Sequence, residues 1–199
     1  MSLARAALGL ILVPATLIVL APAPSALAAE GEALRHHVTL SAGYAQHLAN
    51  EFDGGLKHCA QGQFAYRYSV TPKVDLSIDG RSVMASEDVD VSGTPGTFSH
   101  TTSYFGPGAR FGGTTGNVRP YMQANVFFAR ETVRIEVDGS GSDASESGAG
   151  FGIMGGADIR LSTLLSLPIE ASFLYAKPAN DTSSLGVQAG VTFNFGIMP

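Results

Sequence analysis

One pattern recurs eight times along this chain and leaves few folds open to it: an apolar residue at every second position. The last copy, Leu185 to Ile197, is the cleanest. Leu185, Val187, Ala189, Val191, Phe193, Phe195 and Ile197 alternate with Gly186, Gln188, Gly190, Thr192, Asn194 and Gly196. Successive side chains of a strand point to opposite faces, so this segment has one apolar and one polar face. Its glycines disfavour a helix. Half-buried strands of water-soluble proteins alternate too, so the meaning of the pattern depends on the other seven copies.

Val38 to Leu48 sets Val38, Leu40, Ala42 and Tyr44 against Thr39, Ser41, Gly43, Ala45 and His47. Asn50 to Gln61 reads as a loop. Gln63 to Val70 follows, then a tight turn at Thr71-Pro72-Lys73, then Val74, Leu76 and Ile78 against Asp75, Ser77, Asp79 and Arg81. The polar stretch from about Ala85 to Thr97 predicts a long loop. Ser99 to Phe111 is the fourth strand, with a bulge or distortion expected at Pro107, which cannot donate to a ladder. After a turn at Gly113 to Asn117, Val118 to Val137 is one long strand. Its apolar face switches from Met122, Ala124, Val126 and Phe128 to Val133, Ile135 and Val137. That switch predicts either a bulge near Ala129 or an end that leaves the apolar surroundings. Asp138 to Gly148 predicts a loop. Ala149 to Leu161 and Leu167 to Tyr175 are the next strands, and Pro178 to Ser184 is a loop before the last.

Eight strands with connections alternating long and short, and no helix, predict an all-β, eight-stranded antiparallel up-and-down transmembrane β-barrel. The polar faces carry Arg67, Asp75, Asp79, Arg81, Arg110, Asp158, Arg160 and Glu170, four bases and four acids. The middles of the apolar faces carry almost no charge. A membrane barrel turns such charges into its lumen and its apolar face to lipid. Strand lengths often beyond the roughly 9–11 residues that cross a bilayer favour that sidedness over a soluble barrel. So do glycines on the polar face, which suit a narrow lumen, and closure, which leaves no backbone group unpaired in lipid.

The N-terminus predicts export. Arg5 precedes an apolar run, Leu8 to Ala21, broken by Pro14, and Ala26-Leu27-Ala28 offers a cleavage site. Residues 1–28 are expected to be a signal peptide and residues 29–199 the barrel. Removing the signal would leave eleven bases and seventeen acids, a mildly acidic chain without the basic patch that nucleic acid requires. Cys59 is the one cysteine, so no disulfide framework or thiolate metal site is expected.

Gln188-Ala-Gly190-Val-Thr-Phe193-Asn-Phe195 has the pattern polar-x-Gly-x-x-aromatic-x-aromatic. It resembles the C-terminal β-signal by which assembly machinery recognises outer-membrane barrels. With the eight-strand meander, the chain resembles the small outer-membrane barrels of the OmpA/OmpX and opacity-protein type. Tyr104-Phe-Gly-Pro-Gly-Ala-Arg110 and Arg119-Pro-Tyr121 are similar to phrases of that superfamily. The chain departs from such barrels in carrying Gly196-Ile-Met-Pro199 after the final aromatic. The resemblance implies a place in the outer membrane of a Gram-negative bacterium. It also implies contact with outer-membrane lipid, recognition by the assembly machinery through Gln188, Gly190, Phe193 and Phe195, and, from opacity-type relatives, a host or surface ligand at the four long loops.

No catalytic residue, cofactor or metal is expected. The lumen charges are expected to pair for structural reasons, because an isolated buried charge is costly, and eight strands leave room for little more than side chains. A small-solute pore and a lipid A deacylase are the alternatives. For the latter, His100 lies near Ser99 and Ser103, but the late-strand His-x-Ser of deacylases is replaced by Tyr175-Ala-Lys-Pro. Gly150-Phe-Gly152-Ile-Met-Gly155 fits G-x-G-x-x-G but falls inside a strand instead of opening a helix. Asp138, Asp143 and Glu146 lack the spacing of a calcium loop, and His36 and His37 are read as the polar start of a strand.

Overall fold

The computed structural model describes residues 36–48, 58–113, 116–138, 140–177 and 182–196. They form eight strands: β1 His36–His47, β2 Cys59–Thr71, β3 Val74–Val91, β4 Thr94–Gly112, β5 Val118–Val137, β6 Ser140–Arg160, β7 Leu165–Lys177 and β8 Thr182–Phe195. Sequential strands pair antiparallel, and β8 pairs with β1 over twelve positions, from His36↔Phe195 to His47↔Ser184. The chain is a closed up-and-down barrel. The expected signal peptide and the tail after Gly196 lie outside the described residues.

Alternation becomes sidedness. Leu40, Phe64, Leu76, Phe105, Met122, Phe128 and Val187 project outward, and Val126 is 66% exposed. Thr39, Arg67, Asp79, Arg81, Arg110, Gln123, Glu170 and Thr192 are buried inside. An apolar exterior of this extent is stable in lipid and unfavourable in water. Towards one end the band stops at a common level. The next outward residues there are Gln46, His58, Ser86, Arg130, Ser147, Lys177 and Ser183.

The glycines of the inner face answer to close backbone approach. A Cβ on Gly190 would fall 2.1 Å from the Leu40 carbonyl oxygen, across the seam between β8 and β1. One on Gly106 would fall 2.0 Å from the Val126 oxygen.

Two predicted loops are strands. Ala85 to Thr97 continues β3 and β4 in unbroken register to Val91↔Thr94, with a two-residue turn at Ser92 and Gly93. Both turn residues have positive φ, 57° and 86°, as hairpin turns matched to strand twist require. The Asp90 carboxylate accepts the Gly93 N–H at 2.6 Å. Asp138 to Gly148 is likewise mostly strand: β6 runs back along β5 from Val137↔Ser140 inward. These two connections are therefore long hairpins ending in tight turns instead of long loops. The other two expected loops shrink as strands. β2 already begins at Cys59 and β8 at Thr182, and residues 49–57 and 178–181 lie outside the described residues.

The apolar switch of β5 has no bulge behind it, because its register with β6 is continuous from Val118 to Val137. The strand leaves lipid near Arg130. Beyond that level the outward positions Thr132, Arg134 and Glu136 meet water, while Val133, Ile135 and Val137 stay on the inner face. At Pro107 the β4–β5 ladder skips Gly106 and Pro107 without inserting a residue, and pairing with β3 persists as Ile78↔Pro107. The register shift that does occur lies between Ser69 and Thr71.

Candidate functional site

The lumen is built in layers. Nearest the short turns, the Arg110 guanidinium pairs with Asp158 and lies 3.3 Å from the centre of the Tyr121 ring. Ser69 donates to Asp75 at 2.6 Å and contacts His37 Nε2 at 2.8 Å, while His37 Nδ1 meets Asn194 Oδ1 at 2.8 Å. His36 stacks on Phe195 with the rings 10° from parallel. The two histidines expected to be only a polar strand start therefore fasten β1 to β8 and β2.

The middle layer is hydrogen-bonded around two carboxylates. Glu170 accepts from Arg81 at 2.8 Å, from Tyr121 at 3.0 Å and from Gln188 at 2.9 Å. Asp79 accepts from Gln63 at 2.8 Å, Ser77 at 2.8 Å, Gln123 at 2.7 Å and Asn125 at 2.5 Å. Arg67 donates to Thr39 at 3.0 Å and Thr192 at 3.3 Å. Four neutral donors can hold a buried carboxylate as a cation does, since hydrogen bonding to the charged form stabilises it.

Above this sits an apolar plug, absent from a sequence reading that made the interior wholly polar. Val83, Tyr104, Phe127, Met154 and Leu174 are buried together, with Tyr104 and Phe127 edge to face at 5.6 Å. At the mouth, beyond the outward apolar band, His100 Nε2 lies 2.5 Å from Glu131, and its ring is 5.0 Å from that of His47. Burial, with His100 beside it, pushes the His47 imidazole below its ordinary pKa.

Of the eight charges predicted to face the lumen, Arg81–Glu170 and Arg110–Asp158 form ion pairs. Asp79, Asp75 and Arg67 are held by amides and hydroxyls. Arg160 is half-buried near the β6–β7 turn and donates to the Ser162 carbonyl at 3.3 Å. Sequence reasoning passed over the amide layer of Gln61, Gln63, Gln123 and Asn125 and the role of Tyr121. Their inward parity was the available signal. In the C-terminal strand Gln188 faces the lumen, Gly190 lies in the seam, and Phe193 and Phe195 face outward.

The other motifs do not assemble. His100 is on the inner face of β4, and Ser99 and Ser103 are on the outer one. Asp143 and Glu146 likewise take opposite faces of β6. Among the described residues no group of three or more His, Cys, Asp or Glu side chains converges on a metal position.

A closed eight-stranded barrel with an apolar exterior and a charged, hydrogen-bonded interior is an integral outer-membrane protein. The sequence matches the outer membrane protein beta-barrel domain family over residues 13–195, and the chain belongs to that family. Three similar solved structures share the fold. Neisserial surface protein A is 19% identical with a TM-score of 0.60, and the match covers 83% of this chain and 100% of that one. Ail, the attachment invasion locus protein of Yersinia pestis, solved with the heparin analogue sucrose octasulfate, is 17% identical with a TM-score of 0.55, covering 80% and 100%. OprG of Pseudomonas aeruginosa is 11% identical with a TM-score of 0.52, covering 82% and 97%. No curated protein sequence matches the chain. The protein resides in the outer membrane of a Gram-negative bacterium.

Proposed function

We propose that this protein is a non-enzymatic envelope barrel that acts by surface contact through a β-sheet held beyond the membrane. One observation carries this: β3, β4, β5 and β6 run on past the apolar band in continuous register as a four-stranded sheet. A sheet continuous with a barrel presents a fixed surface, where a loop would have to order itself on binding. The plug of Tyr104, Phe127, Met154 and Leu174 and the network beneath it weigh against a solute pore. The opposed faces of His100 and the two serines weigh against a serine hydrolase.

The outward band is the lipid contact. The C-terminal strand, with Gln188, Gly190, Phe193 and Phe195, is the segment offered to the assembly machinery. The surface contact itself differs in charge from that of a polyanion receptor. Ail was solved with a heparin analogue. Here the sheet carries Glu87, Asp88, Asp90, Glu131, Glu136, Asp138, Asp143 and Glu146 against Arg130 and Arg134.

The test expresses the intact protein, and a form with both hairpins shortened, in a bacterial host lacking it. The shortened form replaces Asp88–Thr97 and Arg134–Asp143 each by Asn-Gly. Adhesion to an epithelial monolayer is measured for both. Adhesion above the host's level with the intact protein, lost in the shortened form while heat-modifiable gel mobility persists, supports the reading. Equal adhesion of the two forms, or none above the host's level from either, overturns it.

A further inference from the structure

Beyond the lipid band the two faces of the surface sheet differ. Its inner face, on the side of the barrel mouth, is ordered in cross-strand rows. Val83, Thr102, Glu131 and Glu146 lie nearest the mouth, followed by Ala85, His100, Val133 and Ala144. Next come Glu87, Phe98, Ile135 and Ser142, then Val89, Gly96, Val137 and Ser140. Val91 and Thr94 complete it at the β3–β4 tip. Val83 and Ala85 are buried at the mouth, but the apolar members further out are half-buried or open: Val91 and Ile135 are each 43% exposed. Strand segments standing in water on both sides have no reason of their own to keep one face apolar, and contiguous exposed apolar surface marks a contact site.

Histidine aside, the ionisable side chains of this face are carboxylates. Glu87, Glu131 and Glu146 belong to it, while Arg130 and Arg134 project from the other side, so among the described residues it carries no lysine or arginine. Glu131 and Glu146 stand directly opposite each other. Like charges so placed destabilise a sheet unless other groups satisfy them; Glu131 is hydrogen-bonded to His100 Nε2 at 2.5 Å, and Glu146 is exposed. An apolar strip bordered by uncompensated carboxylates is complementary to one kind of partner: apolar on one side and cationic along its edges.

We propose that the inner face of the surface sheet binds cationic amphipathic peptides, their apolar side against Val89, Ile135 and Val137 and their cations at Glu87 and Glu146. This rests on the surface-contact reading and names the partner class for it.

The test uses the full chain in phosphatidylcholine nanodiscs, with methyl NMR as the readout. The probe is a synthetic amphipathic peptide of lysine and leucine; its charge-reversed counterpart, with glutamate for lysine, is the control. The lysine peptide should shift the Val89, Ile135 and Val137 methyls saturably while the lipid-facing Val126 and Val187 methyls stay put. Glu87→Gln with Glu146→Gln, and separately Ile135→Ser, should each weaken binding about tenfold, because charge pairing and apolar contact both contribute. Polylysine, cationic without an apolar side, should leave the three methyls unmoved. Equal shifts with the glutamate peptide, shifts confined to the lipid-facing methyls, or an affinity untouched by the substitutions would overturn the proposal. So would a concentration-dependent dimer through this face, or shifts of these methyls on deleting residues 50–56 with no response to the peptide. If the carboxylate variants adhere to the monolayer as the intact protein does while the hairpin-shortened form does not, the peptide proposal fails and surface contact stands.

Discussion

At the scale of single residues, the interior depends on what each carboxylate holds. Glu170 gathers donors from β3, β5 and β8, so Glu170→Ala leaves the Arg81 guanidinium buried without its anion. Breaking a buried pair from one side costs about 3–5 kcal/mol. The expected outcome is that loss in urea unfolding from lipid vesicles, with conductance in planar bilayers unchanged. Gly190 offers a second test. Gly190→Ala sets a Cβ against the Leu40 carbonyl and forces β8 from β1, so the purified chain should lose heat-modifiable mobility after refolding into lipid without any assembly factor. Phe193→Ala with Phe195→Ala, at outward positions, should refold into vesicles and lose assembly chiefly in the cell. Equal loss in both settings would remove the case for a recognition role of those aromatics.

At the scale of elements, the hairpins β3–β4 and β5–β6 have two lives. Inside the lipid band each strand opposes lipid to lumen; outside it, water lies on both sides and alternation no longer follows from burial. Replacing Asp88–Thr97 by Asn-Gly therefore shortens a hairpin without touching the lumen network, and should change barrel stability by less than about 1 kcal/mol in the same urea assay. The same contrast explains what the sequence made legible. Alternation identified every strand core and assigned each residue a side, because lipid and lumen demand opposite chemistry. It was silent over Ser140–Gly148, where small polar residues occupy both faces, and that segment read as a loop. The turn signals were present: Asp138-Gly139 and Ser92-Gly93 each follow a strongly alternating run, Val133 to Val137 and Val89 to Val91. Residue parity said who faces inward. It could not say that Arg81 meets Glu170 or that Asp79 collects four neutral donors, because partners across a lumen are set by the stagger of the strands.

At the scale of the whole molecule, a charged layer, an amide layer and an apolar plug are stacked within one narrow cylinder. No steady conductance is expected from the intact protein in planar bilayers. Leu174→Ala, within the plug, should cost about 2–5 kcal/mol of stability and still give no conductance, because the hydrogen-bonded layers beneath remain. A large steady current from either protein would sink the sealed-lumen reading.

The seam between β1 and β8 carries a consequence in time. Its bonds join positions as far apart as His37 and Asn194, 157 residues along the chain. Such a contact closes the longest loop the barrel contains, and contacts of that separation form slowly. No shorter N-terminal fragment contains both edges, so the cylinder cannot begin as a smaller cylinder and grow. Until the last strand arrives, β1 is an open edge that any passing strand could pair with. Before β8 has paired with β1 the chain is therefore an incomplete sheet or an unfolded thread, and only the arrival of its last strand covers that edge.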